Sequence, residues 1–206
     1  ALHRRVGNRR SEAVTLANLT SLLMDQRRFD EARDAAGAAI SVAQGVGLRE
    51  VEDLMLGRQA RIQVELGRTE EARPALVRAL QRANELGDDA MEAEVLEAVA
   101  ALHLREGRHA ESLVALEQAE HLLGRLGRAS GVLRVAAQRA RIGGAEPKVF
   151  RKLVEQARAD GVEDLIPGLL VDMAEAHLSR GQTDPAMSAV VAAEGLLDVS
   201  DPLLEG

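Results

Sequence analysis

The chain has 206 residues, of which 46% are hydrophobic, and its formal net charge is -7. Aromatic residues make up only 1% and cysteine is absent, which excludes disulfides, thiolate metal sites and aromatic stacking platforms. Net negative charge disfavours nucleic-acid binding, and no apolar run approaches the roughly 18 residues of a membrane span, so we expect a soluble, cytoplasmic protein without a membrane segment.

The abundance of Ala, Leu, Arg and Glu predicts helices, and a recurring turn signature predicts that these helices form hairpins. The signature occupies residues 26–32, 66–72 and 106–112, and it returns in weaker form around Gly144 and Gly181. Successive turns follow after 40, 40, 37 and 37 residues. A steady period of this length is typical of a helical repeat protein.

These turns divide the chain into five repeats in a single array covering residues 1–206. We predict the end of a preceding repeat at 1–7, repeat 1 at 8–47, repeat 2 at 48–87, repeat 3 at 88–127, an irregular repeat 4 at 128–161, and repeat 5 with a tail at 162–206. Gly7, Gly47, Gly87 and Gly127 lie where left-handed caps would end second helices. An opening inside a second helix predicts that the chain is a fragment of a larger protein.

Small residues recur at three fixed distances from the turn. They are Thr20, Ala60, Ala100, Ala137 and Ala174 before it, Ala32, Ala72, Ser112, Val149 and Ala186 shortly after it, and Ala39, Ala79, Ala119 and Ala193 further along, where the fourth repeat has Gln156 instead. Paired helices approach closely only where side chains are small, so these columns predict the contact within each hairpin. The remaining apolar faces require neighbouring hairpins to cover them.

The polar residues do not assemble a recognisable catalytic or metal-binding motif. Gly143 and Gly144 lack the lysine and hydroxyl residue of a phosphate loop, and the histidines lack the spacing of a zinc protease. His103 and His177 occupy the same repeat position and are expected to pack between helices. Acidic pairs lie near helix starts, where they complement the helix dipole. We therefore expect no enzyme, no cofactor and no metal.

The glycine turn followed by acidic residues and alanine, in residues 66–72 and again in 25–32, resembles the tetratricopeptide repeat (TPR). The resemblance covers essentially the whole chain and implies an all-α, right-handed superhelical solenoid of antiparallel helix hairpins. A leucine column replaces the large aromatic residue of the family's first helix. The long repeat is similar to variants in bacterial multidomain regulators and in kinesin-light-chain-like proteins.

The resemblance also implies a partner-binding concave face built from first-helix residues. The matching positions are Ser21, Asp25, Arg61, Glu65, Glu97, Arg105, Arg134, Gln138, Glu175 and Ser179. Arg61, Arg105 and Arg134 would bind acidic side chains of a partner, because guanidinium groups pair with carboxylates through two hydrogen bonds. The alternative is a solvated helix face without a binding role, which needs charged residues anyway.

Two functions remain open on the sequence alone. The first is a protein-protein interaction scaffold that binds a partner segment, a protein or a peptide, in the concave groove. The alternative is an effector-sensing or regulatory segment of a multidomain transcriptional or signalling regulator. Uncapped ends would also allow the chain to associate with further copies of itself.

Overall fold

The computed structural model describes the backbone of residues 2–199 and the side chains of residues 8–197. Within this part of the chain it contains ten α-helices, one short 3-10 helix and no strand. The predicted all-α fold of helical hairpins is confirmed. No helix within residues 2–199 is long and apolar enough to cross a membrane.

The chain divides into two compact units between Arg108 and His109, and we call them the N-terminal and the C-terminal unit. The N-terminal unit contains α1 (Leu2–Asp25), α2 (Phe29–Val46), α3 (Arg49–Glu65), α4 (Thr69–Leu86) and α5 (Asp89–Arg105). Consecutive helices pack against one another, and α3 also contacts α1 and α5. The first helices of successive repeats therefore share one surface, which we call the first-helix surface.

The C-terminal unit repeats the same plan with one irregular hairpin. It contains α6 (His109–Arg125), α7 (Ala129–Ile142), α8 (Pro147–Ala159), the 3-10 helix Glu163–Leu165, α9 (Ile166–Leu178) and α10 (Thr183–Val199). Here too, consecutive helices pack together, and α7 contacts α9. The helices α7 and α8 are shorter than the helices that precede them, and α8 ends at Ala159, where the sequence predicts an early end of this second helix.

Each predicted turn contains one residue with a left-handed backbone. The φ angles of Gly67, Gly107, Gly144 and Gly181 lie between 62° and 73°, and Arg27 fills the same position with φ 58°. A residue with a Cβ atom has a higher conformational energy in this backbone conformation than glycine has. Arg27 therefore destabilises its turn relative to a glycine at the same position. The turn in the second repeat closes with hydrogen bonds from the Gly67 and Arg68 amides to carbonyl groups of α3.

The small-residue columns are mostly buried, and within each unit members from the two helices of a hairpin share one core cluster, such as Ala60 with Ala72 and Ala174 with Ala186. The buried members are Thr20, Ala60, Ala100, Ala137, Ala174, Ala32, Ala72, Ser112, Ala186, Ala39, Ala79, Ala119 and Ala193. The Thr20 hydroxyl stays satisfied because it donates a hydrogen bond of 2.9 Å to the carbonyl oxygen of Leu16 in the preceding turn. Small side chains at these points allow neighbouring helices to approach closely.

The predicted column members in the fourth repeat are wrong by one residue. Val149 is only half-buried and Gln156 is exposed, whereas the adjacent Phe150 and Ala157 are buried. The reason is that two residues separate the left-handed Gly144 from the start of α8, whereas one residue does so in the other hairpins. Since each helical residue turns the helix by about 100°, the extra residue rotates the buried face of α8 accordingly.

One further prediction fails at the beginning of the chain. The helix α1 runs without a break from Leu2 to Asp25, so Gly7 does not end a helix. Gly47, Gly87 and Gly127 do adopt the predicted left-handed conformation after α2, α4 and α6, with φ angles of 64° to 66°. The assignment of residues 1–7 to a preceding repeat and the single-array organisation remain predictions.

Candidate functional site

The first-helix surface of the N-terminal unit contains an open depression of about 370 Å³. Four of the predicted binding residues line it: Ser21 and Asp25 in the last two turns of α1, and Arg61 and Glu65 in the last two turns of α3. These positions come together because α1 and α3 pack side by side in successive hairpins. The depression is completed by Met24, Arg27, Phe29, Arg58 and Glu94.

Arg58 connects three helices at the wall of this depression. Its Nη1 atom donates a hydrogen bond of 3.2 Å to the carbonyl oxygen of Ala17 in α1. Its Nε atom lies 3.6 Å from Oε1 of Glu94 in α5, and both side chains are largely shielded from solvent. An arginine in α3 therefore holds α1 and α5 in fixed positions through charge-assisted contacts.

The carboxyl group of Glu94 is electrostatically perturbed by its surroundings. Burial raises the pKa of Glu94 above its ordinary value, and the positive charges of Arg58 and Arg61 oppose this shift. The negative charge of Glu97, one turn further along α5, adds a smaller rise. Because desolvation dominates, Glu94 is destabilised in its charged form despite two nearby arginines.

Arg105 bridges successive repeats at the end of the first-helix surface. Its Nη2 atom donates a hydrogen bond of 3.1 Å to the main-chain oxygen of Glu65 and lies 3.4 Å from Oε2 of the same residue. The main-chain contact satisfies a carbonyl group at the C-terminus of α3, which has no partner within its own helix. Two predicted binding residues therefore already bind each other within the chain.

Arg61 and Asp25 differ from these paired residues. Within the part of the chain that the structure describes, neither side chain forms a hydrogen bond or an ion pair. Arg61 is half-buried, with the five donors of its guanidinium group free for other acceptors, and Asp25 is exposed at the end of α1. The depression thus presents a guanidinium group that acts on Glu94 only through its charge, and an exposed carboxylate without an ion pair among the described residues.

The C-terminal unit has a second depression, of about 290 Å³, lined by the predicted residues Glu175 and Ser179. Asp172 is buried at its wall, where Oδ1 lies 3.2 Å from Nη1 of Arg141. Burial raises the pKa of Asp172; Arg141 opposes the shift and Glu175 adds to it. Arg180 closes one side of the depression with hydrogen bonds to main-chain carbonyl groups.

The other three predicted residues lie outside both depressions. Glu97 is buried in α5, so it presents little of its carboxylate to a partner. Arg134 is exposed and Gln138 is half-buried on α7. The structure therefore brings together six of the ten predicted residues in two depressions, and joins Arg105 to one of the six.

The two histidines that share a repeat position, His103 and His177, are both at least partly buried. His177 is buried, and its Nδ1 atom lies 2.7 Å from Oε1 of Gln182 in the following turn. His103, at the same position of an earlier repeat, is half-buried. Among the residues with described side chains, no group of three or more histidine, aspartate or glutamate residues could hold a metal ion.

Arg58 and Asp172 were missed by the sequence analysis. Both lie nine residues before the left-handed turn residue, where other repeats carry the buried Ala98 and Val135. A charged residue in an otherwise apolar position is a signal of an internal polar contact, since buried charges are normally paired. Comparing repeats position by position could have found both residues.

Comparison with known proteins agrees with this architecture. A crystal structure of a putative kinesin light chain with nearly identical TPR-like repeats from Podosopora anserina has a TM-score of 0.57 and 12% identity, covering 91% of this chain and 96% of that one. A crystal structure of a variant of the same protein has a TM-score of 0.58 and 14% identity, covering 88% and 92%. The fold is that of the TPR-like repeats. No protein-family model and no curated protein matches the sequence.

At these identities the likeness concerns the TPR-like fold alone. It agrees with the helix pairs, the short turns and the small-residue contacts described above. Folds of this kind generally serve protein-protein interaction, whereas the particular binding residues differ from protein to protein. The specific function of this TPR-like chain therefore depends on the residues of its own surface.

Proposed function

We propose that this chain is a protein-interaction scaffold that binds a segment of a partner protein on the first-helix surface of its N-terminal unit. One observation carries the proposal: Ser21, Asp25, Arg61 and Glu65, from two successive first helices, line a single open depression. A TPR-like repeat provides a rigid frame for such a depression, because each hairpin is held by its neighbours.

The charges of the depression indicate how a segment would bind. Arg61 would bind a carboxylate or a main-chain carbonyl group of the partner, since its donors have no acceptor in the described part of the chain. Asp25 would accept a hydrogen bond from a positively charged or amide group. Arg58, in contrast, keeps its contacts with Ala17 and Glu94 and shapes the wall without needing to bind the partner.

The test is affinity capture with the wild-type chain and two arginine variants, followed by mass spectrometry and a binding measurement with the purified partner. We expect Arg61→Glu to lose the partner, because reversal places a negative charge where a hydrogen-bond acceptor would bind. The control is Arg78→Glu, which changes an exposed residue of α4, a second helix. Equal capture by both variants and by the wild type would remove the support for this surface.

Self-association is a second proposal and rests on the apolar face of α10. Met187, Val191 and Leu197 are each more than half exposed. In α1, Leu22 is also exposed, whereas Ile62 and Leu102 at the same repeat position are buried. Such faces are covered by neighbouring hairpins elsewhere in a repeat array. Sedimentation measurements over a range of concentrations test this proposal, and a constant monomer mass would contradict it.

A further inference from the structure

The C-terminal unit contains an apolar groove that shares only Ala140 and Ala145 with the depression beside Asp172. It has a volume of about 410 Å³ and is lined by residues of α6, α7, the following turn and α8. Its aliphatic lining consists of Leu113, Val114, Ala136, Ala140, Ala145, Val149 and Leu153. The charged lining residues are Glu117, Glu120 and Arg139, and Gly143 completes the lining. Two of the three helices are second helices, so the groove does not belong to the first-helix surface.

The groove arises from the irregular turn of the fourth repeat. Phe150 is the fourth residue of α8, and this is where the other second helices carry Ala32, Ala72, Ser112 and Ala186. The phenyl ring is buried here, and it is larger than the small side chains that allow a close approach in the other hairpins. The rotation of α8 also leaves Val149 and Leu153 half-buried on the groove side. The groove therefore lies where the chain departs from the repeat, beside an extra turn residue and a large buried side chain.

The charged residues that line the groove are one ion pair and one further carboxylate, so the rim carries a net negative charge. Arg139 of α7 forms an ion pair with Glu120 of α6, which neutralises both groups. Glu117, one turn earlier on α6, is exposed and forms no ion pair within the described side chains. Val114, a further turn back, is 54% exposed. The helix α6 thus presents an aliphatic side chain beside an unpaired carboxylate at the groove edge.

We propose that this groove binds a short amphipathic segment of a second protein, with aliphatic side chains against Leu113, Val149 and Leu153 and a lysine or arginine beside Glu117. Burying aliphatic side chains in the groove supplies the driving force, because the contact removes apolar surface of both the segment and the groove from water. The unpaired Glu117 selects for a positive charge next to those side chains. This binding is independent of the proposed function of the N-terminal unit.

The test uses a displayed library of random short peptides, selected against the full chain. Selected peptides are then synthesised, and their affinities are measured by fluorescence anisotropy for the wild type, Val114→Glu and Glu117→Lys. The matched control is Val77→Glu, because Val77 on α4 is 53% exposed and lies in the other unit. Circular dichroism and thermal melting check that each variant keeps its fold.

We expect a class of peptides that combine aliphatic residues with a lysine or arginine. Their affinity should fall at least about tenfold in Val114→Glu and in Glu117→Lys, and stay unchanged in Val77→Glu and in Arg61→Glu. Selection of no such class, or peptides insensitive to both groove variants, would overturn the proposal. So would a concentration-dependent dimer that Val114→Glu abolishes, since the groove would then bind a second copy. If a variant loses only the partner of the first-helix surface, the proposed binding of peptides in the groove still stands.

Discussion

Arg58 in α3 donates a hydrogen bond to the carbonyl oxygen of Ala17, 41 residues earlier in α1, while its Nε atom faces the carboxylate of Glu94 in α5. One side chain therefore links the first helices of three successive repeats. This contact is internal to the N-terminal unit, and it shapes the depression that we propose as a binding surface.

Replacing Arg58 by methionine should lower the free energy of unfolding by about 1–3 kcal/mol, because it leaves a shielded carboxylate and a carbonyl group without their partner. Urea denaturation measures the change. In a Glu94→Gln background the loss should be smaller, since the remaining partner is then neutral. Identical losses in both backgrounds would show that Arg58 and Glu94 are not coupled.

Glu94 also predicts a dependence of stability on pH. Its pKa is raised in the folded state, mainly by burial, so the folded chain binds the proton more readily than the unfolded chain. Between the ordinary glutamate pKa and the raised one, lowering the pH therefore stabilises the fold through this group. We expect Glu94→Gln to stabilise the chain at neutral pH and this advantage to disappear below the ordinary pKa.

Glu31 is the control for that measurement, because its pKa is shifted in the opposite direction. A hydrogen bond from Arg28 lowers the pKa of Glu31, so its contribution is present at neutral pH and is lost as the pH falls. Glu31→Gln should therefore destabilise the chain at neutral pH, by a small amount for this exposed pair. Parallel pH profiles for the two variants would contradict the assigned signs.

The rotated face of α8 can be tested with a pair of adjacent substitutions. Ala157→Gln should destabilise the chain by about 1–3 kcal/mol, because a longer side chain must enter a packed contact. Gln156→Ala should change the unfolding free energy by less than about 0.5 kcal/mol, because Gln156 is exposed. Chemical denaturation distinguishes the two. If Gln156→Ala destabilised the chain more than Ala157→Gln, Gln156 and not Ala157 would face the helix contact.

Two glycines, one in a left-handed turn and one inside a helix, should respond to replacement by alanine with opposite changes in stability. Gly67→Ala should lower the free energy of unfolding by about 1 kcal/mol, because φ is 73° there. The added methyl group meets no neighbouring atom, so the loss would come from the backbone conformation and not from a steric clash. Gly37→Ala, inside α2 and equally free of neighbours, should stabilise the chain by about 0.5–1 kcal/mol. Thermal melting of both variants measures the contrast, and equal shifts would argue against the turn conformation.

The fold was predictable because the residues that form the contacts within one repeat recur at the same positions in the other repeats. The recurrence of alanines such as Ala72 and Ala79 predicts where helices meet, and glycines such as Gly67 mark where the chain turns. The phase of α8 was not predictable from this pattern. Val149 with Leu153 and Phe150 with Val154 both have helical spacing, so one extra turn residue leaves no trace in periodicity.

The candidate site was predictable only in part. Positions of Ser21, Asp25, Arg61 and Glu65 follow from the repeat, and packing of α1 on α3 brings them together. The roles of charged side chains do not follow from position, because they depend on which neighbours each one reaches. Glu97 shares its position with the exposed Arg134, yet it is buried in α5.

The most direct test of the account is hydrogen-deuterium exchange of the chain with and without the partner identified by capture. We predict slower amide exchange near the C-terminal ends of α1 and α3, around residues 21–27 and 58–67, when the partner binds. The second helices α2 and α4 should show much smaller changes. Protection of α2 and α4 without any change in α1 and α3 would contradict binding on the first-helix surface.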